Sequence, residues 1–98
     1  MKRIFLSLGF SGRTEKDIIE DINFAKTLLV SHYDEELEII HNYDYNGNNR
    51  VECLGEAIKK LSTCDIVCFI NNWRNHKGCV IEKEICKAYD IPYTTLIF

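Results

Sequence analysis

The sequence predicts an α/β protein: a doubly wound parallel sheet with element order βαβαβαβ and strand order 2-1-3-4. Three observations carry that expectation. Nearly continuous apolar runs at 4–8 and 66–70 have the composition of strands covered on both faces. Segments with helical spacing of apolar residues separate the strand-like runs. The connections are short, so right-handed crossovers lay the strands parallel. At 98 residues the chain is expected to form one domain spanning 1–98, with enough buried surface for one core.

A first strand is expected over 3–9, where Ile4, Phe5, Leu6 and Leu8 are almost uninterrupted. A glycine-containing turn follows, Gly9, Phe10, Ser11, Gly12 and Arg13. Thr14 is a good N-cap, and Asp17 three residues later makes a capping-box-like pair. Ile18, Ile22, Ala25, Leu28 and Leu29 then recur at helical spacing, which predicts a long amphipathic helix over 14–31. A polar loop at 32–36 leads to a short second strand over 37–41. Residues 42–49 are dense in turn formers and hold Tyr43 and Tyr45.

A second helix is expected over 50–62, with Val51, Leu54, Ile58 and Leu61 on one face. The third strand, 65–71, reads as central because nothing polar interrupts Ile66 to Ile70. A turn at 72–77 opens a third helix over 78–89, whose apolar stripe is read as Ile81, Ile85, Ala88 and Tyr89. Asp90 and Pro92 stop that helix, and a last strand covers 93–98. With strand order 2-1-3-4 the switch point lies between strands 1 and 3. Ligands of such sheets bind above the carboxyl ends of the strands there, where the loops at 9–14, 42–50 and 71–78 meet.

Composition narrows the function classes. A net charge of −3 gives no electrostatic footprint for nucleic-acid backbones, so no nucleic-acid partner is expected. No stretch approaches the length of a membrane span, and the apolar run after Lys2 and Arg3 is too short for a signal core. The five cysteines are odd in number and contain no C-x-x-C, and the three histidines have no metal-type spacing to them. Reduced thiols, a cytoplasmic location, no metal and no cofactor are the expectation.

Glu82 is the first candidate for chemistry. It stands three residues before Ile85 and seven before Tyr89, on the border of the third helix's stripe and close to its start. Burial raises the pKa of such a carboxyl and the helix N-terminus lowers it. A carboxylate placed there can attack an electrophilic sugar carbon. A helix-dipole partner, or an ion pair with a nearby Lys or Arg, is the other reading of the same spacing. The turn from Gly9 to Arg13 offers backbone N–H groups at a helix start plus a guanidinium, which suits a phosphate or carboxylate as well as it suits a plain cap. Trp73 can stack on a base, cover the core edge or meet another subunit. His76 can cap the third helix or touch a ligand. Tyr43 and Tyr45 can fold over the site or simply occupy a turn.

Three blocks of the chain resemble a known group. Leu6-Ser7-Leu8-Gly9-Phe10-Ser11-Gly12-Arg13-Thr14 matches a strand-1 turn ending in S-G-[RK]-T. Leu54-Gly55 through Cys64-Asp65 is similar to an L-G-x(9)-D block ending at strand 3. Trp73, then Gly78-Cys79-Val80-Ile81-Glu82-Lys83-Glu84, then Ala88-Tyr89, fits W-x(4)-G-C-x-I-E-x-E-x(3)-A-Y. Together they resemble the short bacterial and phage branch of the nucleoside 2-deoxyribosyltransferase-like superfamily, in register over nearly the whole chain. The G-C-x-I-E block fits this group better than a TIR-like dinucleotide hydrolase, which has the same fold class and also uses a glutamate.

The resemblance implies a flavodoxin-like fold and a site for a small nucleoside or nucleotide. It implies a glutamate nucleophile four residues after Gly78, which is Glu82, and contacts to sugar or phosphate from Gly9, Phe10, Ser11, Gly12 and Arg13. Trp73, His76 and Gly78 complete the expected ligand contacts, and a homo-oligomer is expected. Two positions depart from the enzymes. Where they carry an assisting Asp the chain has Ala57, and where they carry Asp or Ser it has His76. A non-catalytic protein that senses or sequesters a nucleotide in the same pocket is therefore the alternative to an N-glycosidic cleavage or transfer enzyme.

Overall fold

A computed structural model describes residues 1–98. The sheet has four parallel strands: β1 (Lys2–Ser7), β2 (Leu37–Ile40), β3 (Ile66–Ile70) and β4 (Tyr93–Leu96). They lie in the order β2-β1-β3-β4, as the sequence predicts for a doubly wound, flavodoxin-like architecture. The helices are α1 (Glu15–His32), α2 (Arg50–Leu61) and α3 (Lys77–Ala88), and one 3-10 turn, Trp73–Asn75, breaks the β3–α3 connection. No helix is long and apolar enough to cross a membrane.

Strand alternation divides the core in two. Ile4 and Leu6 of β1 and Cys68 and Ile70 of β3 pack with Ile18, Ile22, Ala25 and Leu29 of α1. On the opposite face Phe5, Val67 and Phe69 pack with Ala57 and Leu61 of α2 and Cys79 and Cys86 of α3. A side-chain period of two allows this on central strands only because both faces are covered. Caps set two helix starts: Thr14 Oγ1 accepts from the Asp17 N–H at 3.1 Å, and Asn49 Oδ1 accepts from the Glu52 N–H at 2.8 Å. Asp90 ends the third helix in a left-handed conformation, φ 55°, which Asp tolerates better than most residues.

Two stripes read from spacing are corrected. On α3 the buried residues are Cys79, Glu82 and Cys86, at i, i+3 and i+7. Ile81 is 43% and Tyr89 76% exposed, and Ala88 is exposed too. Two cysteines are small enough to bring the helix close to the sheet, and that rotates the bulkier apolar residues to its flank. On α2 the buried pair is Ala57 and Leu61, whereas Val51 is 78% exposed. The first turns of α2 overhang a cavity instead of the sheet.

Candidate functional site

The register of β1 decides what faces the cavity. Ser7 pairs with Phe69 at the carboxyl end of the strand and shares the parity of Phe5, so its hydroxyl points to the α2–α3 side. A slip of one residue would send it into the α1 core. Glu82 reaches the same point from the second turn of α3. Ser7 Oγ donates to Glu82 Oε1 at 2.7 Å, with Ser7 1% and Glu82 6% exposed.

Burial dominates the electrostatics of Glu82. It pushes the carboxyl up to about 7, and the Ser7 hydrogen bond, which favours the charged form, opposes only part of that. The helix dipole acts mainly within the first turn, and Glu82 lies beyond it. Neither an ion pair nor a hydrogen bond to Lys or Arg holds the carboxyl, which removes that reading of its spacing. Cys79, on the same helix face, is pushed up to about 11 by burial and stays a thiol.

Both side chains border a cavity of about 610 Å³, a size ordinary for small-molecule sites. It opens between the N-terminal halves of α2 and α3, over the carboxyl end of β1 and beside the β3–α3 connection. That is the switch point of the sheet. Glu82 is the only carboxylate in its lining, and Arg50, His76 and Lys77 are its basic residues. Ala57 occupies the α2 wall at 3% exposure, so no second carboxyl stands where the assisting Asp is expected. Glu56 points away and pairs with Lys59 at 3.7 Å.

Of the residues selected from the sequence, Glu82, Gly9, Phe10, Ser11, His76 and Gly78 line the cavity. Three others do not. The Arg13 guanidinium donates to the Gly9 carbonyl at 3.1 Å and pairs with Asp21, which ties the β1–α1 turn to α1. Gly12 takes φ 72° in that turn with open space where a Cβ would stand, so its role is backbone shape. Trp73 is folded back by the 3-10 turn onto Phe69, ring centroids 5.3 Å apart, and Lys83 Nζ sits 4.4 Å over its ring. Among its three readings the structure selects the core edge. Tyr43 packs on Phe10, and the Tyr45 hydroxyl donates to Glu52 Oε1, so neither tyrosine covers the cavity.

His76 stands at the N-cap of α3 without making a side-chain cap bond. Its imidazole lies against Gly9 so closely that a Cβ on Gly9 would fall 1.9 Å from the ring. Gly9 is thus required by contact, not by a positive φ. Ser7, Asn42, Arg50 and Lys77 also line the cavity and were not selected from the sequence. Ser7 had a legible signal, as the one polar residue inside an apolar strand. Arg50, Lys77 and Asn42 look like ordinary helix-start and turn residues.

Fold and site together define a doubly wound α/β protein with a buried carboxyl–hydroxyl pair in a pocket at the switch point. No protein-family model, curated protein or solved structure compared with the chain matches it.

Proposed function

We propose that this protein belongs to the nucleoside 2-deoxyribosyltransferase-like group and binds a nucleoside or nucleotide with its sugar against Glu82. The observation that carries the proposal is the buried Glu82–Ser7 pair facing a cavity with no other carboxylate. In the reaction the ionised Glu82 attacks the anomeric carbon. The C–N bond to the base breaks, its electron pair leaves with the base, and the base takes up a proton. Water, or a second base, then displaces the sugar from the glutamyl ester and restores the carboxylate. Gly9, Phe10 and Ser11 at the start of the β1–α1 turn hold the 5′ end.

The absence of a second carboxyl at Ala57 favours one other reading, binding without turnover. Self-association and a cytoplasmic setting belong to the same proposal. They are supported by the exposed Val51 and Ile81 beside the cavity and by five unpaired cysteines.

A panel of nucleosides and 5′-nucleotides, incubated with the protein and resolved by chromatography, tests both readings. The expected result is free base from at least one compound. Its rate should rise with pH through about 7 as Glu82 ionises, and Glu82→Gln should reduce it by at least a hundredfold. Tight binding with every ligand recovered intact selects the non-catalytic reading. No binding at millimolar ligand and no base release would sink both.

A further inference from the structure

The bond between Ser7 and Glu82 occupies one carboxylate oxygen only. Ser7 Oγ donates to Oε1 at 2.7 Å, and no other group donates to Glu82. An ionised carboxylate has room for about four hydrogen bonds, so most of its capacity is unused. Oε2 makes none, yet it is not sealed away. The one buried side-chain polar atom left without either a partner or surface is Asn42 Oδ1. Oε2 therefore keeps its access, and the cavity is the open space that Glu82 borders. Its neighbour there is Gly78, where an added Cβ would stand 4.0 Å from Oε2. The donor on the other oxygen is rigid: Ser7 is 1% exposed and lies in β1, in register with Phe69 of β3. A buried carboxylate kept only for structure has both oxygens paired. One oxygen held and the other open is the arrangement of a group that reacts at the open atom.

We infer that Ser7 is a positioning residue: its hydroxyl holds Oε1 of Glu82 and thereby reserves Oε2 as the atom that attacks the anomeric carbon. The inference rests on the N-glycosidic reading proposed above and adds to it which oxygen reacts and what aims it. As Oε2 forms the C–O bond, the C–N electron pair leaves with the base, which takes a proton from solvent. Oε1 becomes the ester carbonyl and keeps the Ser7 hydrogen bond, so nothing has to rearrange between the two steps. When water displaces the sugar, Oε2 keeps the electron pair and one water proton passes to solvent. The charge returns to a carboxylate that already has its donor. The same bond favours the charged form of Glu82 against burial, and this links Ser7 to pH. Around the carboxyl, β1 and β3 bring only Ser7 and apolar side chains. His76, Lys77, Cys79 and Cys86 come from α3 and its cap, and Arg50 and Cys53 stand on the α2 side of the cavity. Of all these, Ser7 alone opposes the effect of burial on Glu82.

The test is the pH dependence of base release by the full chain, for the wild type, Ser7→Ala and Ser7→Cys. The probes are 2′-deoxyadenosine, 2′-deoxycytidine and their 5′-monophosphates. Without the hydroxyl the Glu82 pKa rises further above its ordinary value, so less of the carboxyl is ionised at acidic pH. The expected loss of kcat/KM in Ser7→Ala is therefore about tenfold at pH 6, shrinking to less than threefold at pH 9. Ser7→Cys keeps the size with a weaker donor and should move the profile the same way by less. Thermal melts confirm that the variants are folded, and Ser7→Cys decides the matter if Ser7→Ala is not. An equal loss at both pH values overturns the inference, because it leaves Ser7 a packing role only, and the nucleotide reading stands. A loss that grows towards pH 9 also overturns it, by showing that Ser7 favours the neutral acid. No base release by the wild type from any of the four compounds overturns the attack by Glu82 and this inference with it.

Discussion

Glu82→Gln is expected to stabilise the protein at pH 8 by on the order of 3 kcal/mol and to change it little at pH 4. The sign follows from proton binding. Burial raises the folded-state pKa from 4.5 to about 7. Between those values the unfolded chain has released the proton while the folded chain still holds it. Wild-type stability therefore falls as pH rises through that window, because a charge must be kept at a site 6% exposed. Glutamine keeps the shape and an acceptor for the Ser7 hydroxyl but carries no charge, so its curve lacks that fall. For a chain of 98 residues the difference corresponds to a melting temperature higher by roughly 10 °C or more at pH 8. Urea or thermal unfolding of both proteins between pH 4 and 8 checks it. Parallel curves would mean that Glu82 is solvated. A stability gained by trading away the proposed nucleophile is the pattern expected of a functional site.

Gly9→Ala should have the second large effect. Its new Cβ would lie 1.9 Å from Cγ and 2.1 Å from Cδ2 and Nδ1 of His76, separations at which the ring has to leave. His76 has no side-chain cap bond holding it, and both residues line the cavity. We expect the variant to lose about 1–3 kcal/mol of stability and at least tenfold in ligand affinity, as the imidazole is displaced within the site. His76→Ala in the same chain should recover most of both. The four proteins form a double-mutant cycle, and the expected coupling between the two positions is about 1–3 kcal/mol. Additive effects would show that the ring is not what Gly9 accommodates.

The elements were legible because their signals are local. The apolar interior of β3, the Thr14 cap and the Asp90 stop each act within a few residues, and crossover handedness then leaves little freedom in strand order. The phase of α3 was not legible. A stripe of Ile81, Ile85, Ala88 and Tyr89 is the more apolar face, yet the sheet receives Cys79, Glu82 and Cys86. What decides it is the match of small side chains to Phe69 and Val67 and the bond to Ser7, seventy-five residues away in sequence. Glu82 was singled out nonetheless, from the border of that stripe near the helix start and from the G-C-x-I-E block. Trp73 misled for a related reason: nothing near it in sequence foretells the 3-10 turn and Lys83, which hold its ring on the core. Asn42 was hidden among turn formers, and only its orphaned oxygen sets it apart.

Glu82 is a buried carboxyl facing the cavity proposed as the ligand site, and burial pushes it up to about 7. A carbon-13 NMR titration of the glutamate side-chain carboxyls, assigned by loss of one resonance in Glu82→Gln, measures it directly. The expected midpoint for Glu82 is near pH 7, and it should move when a nucleoside or nucleotide binds. A midpoint near 4.5, unmoved by ligand, would contradict it.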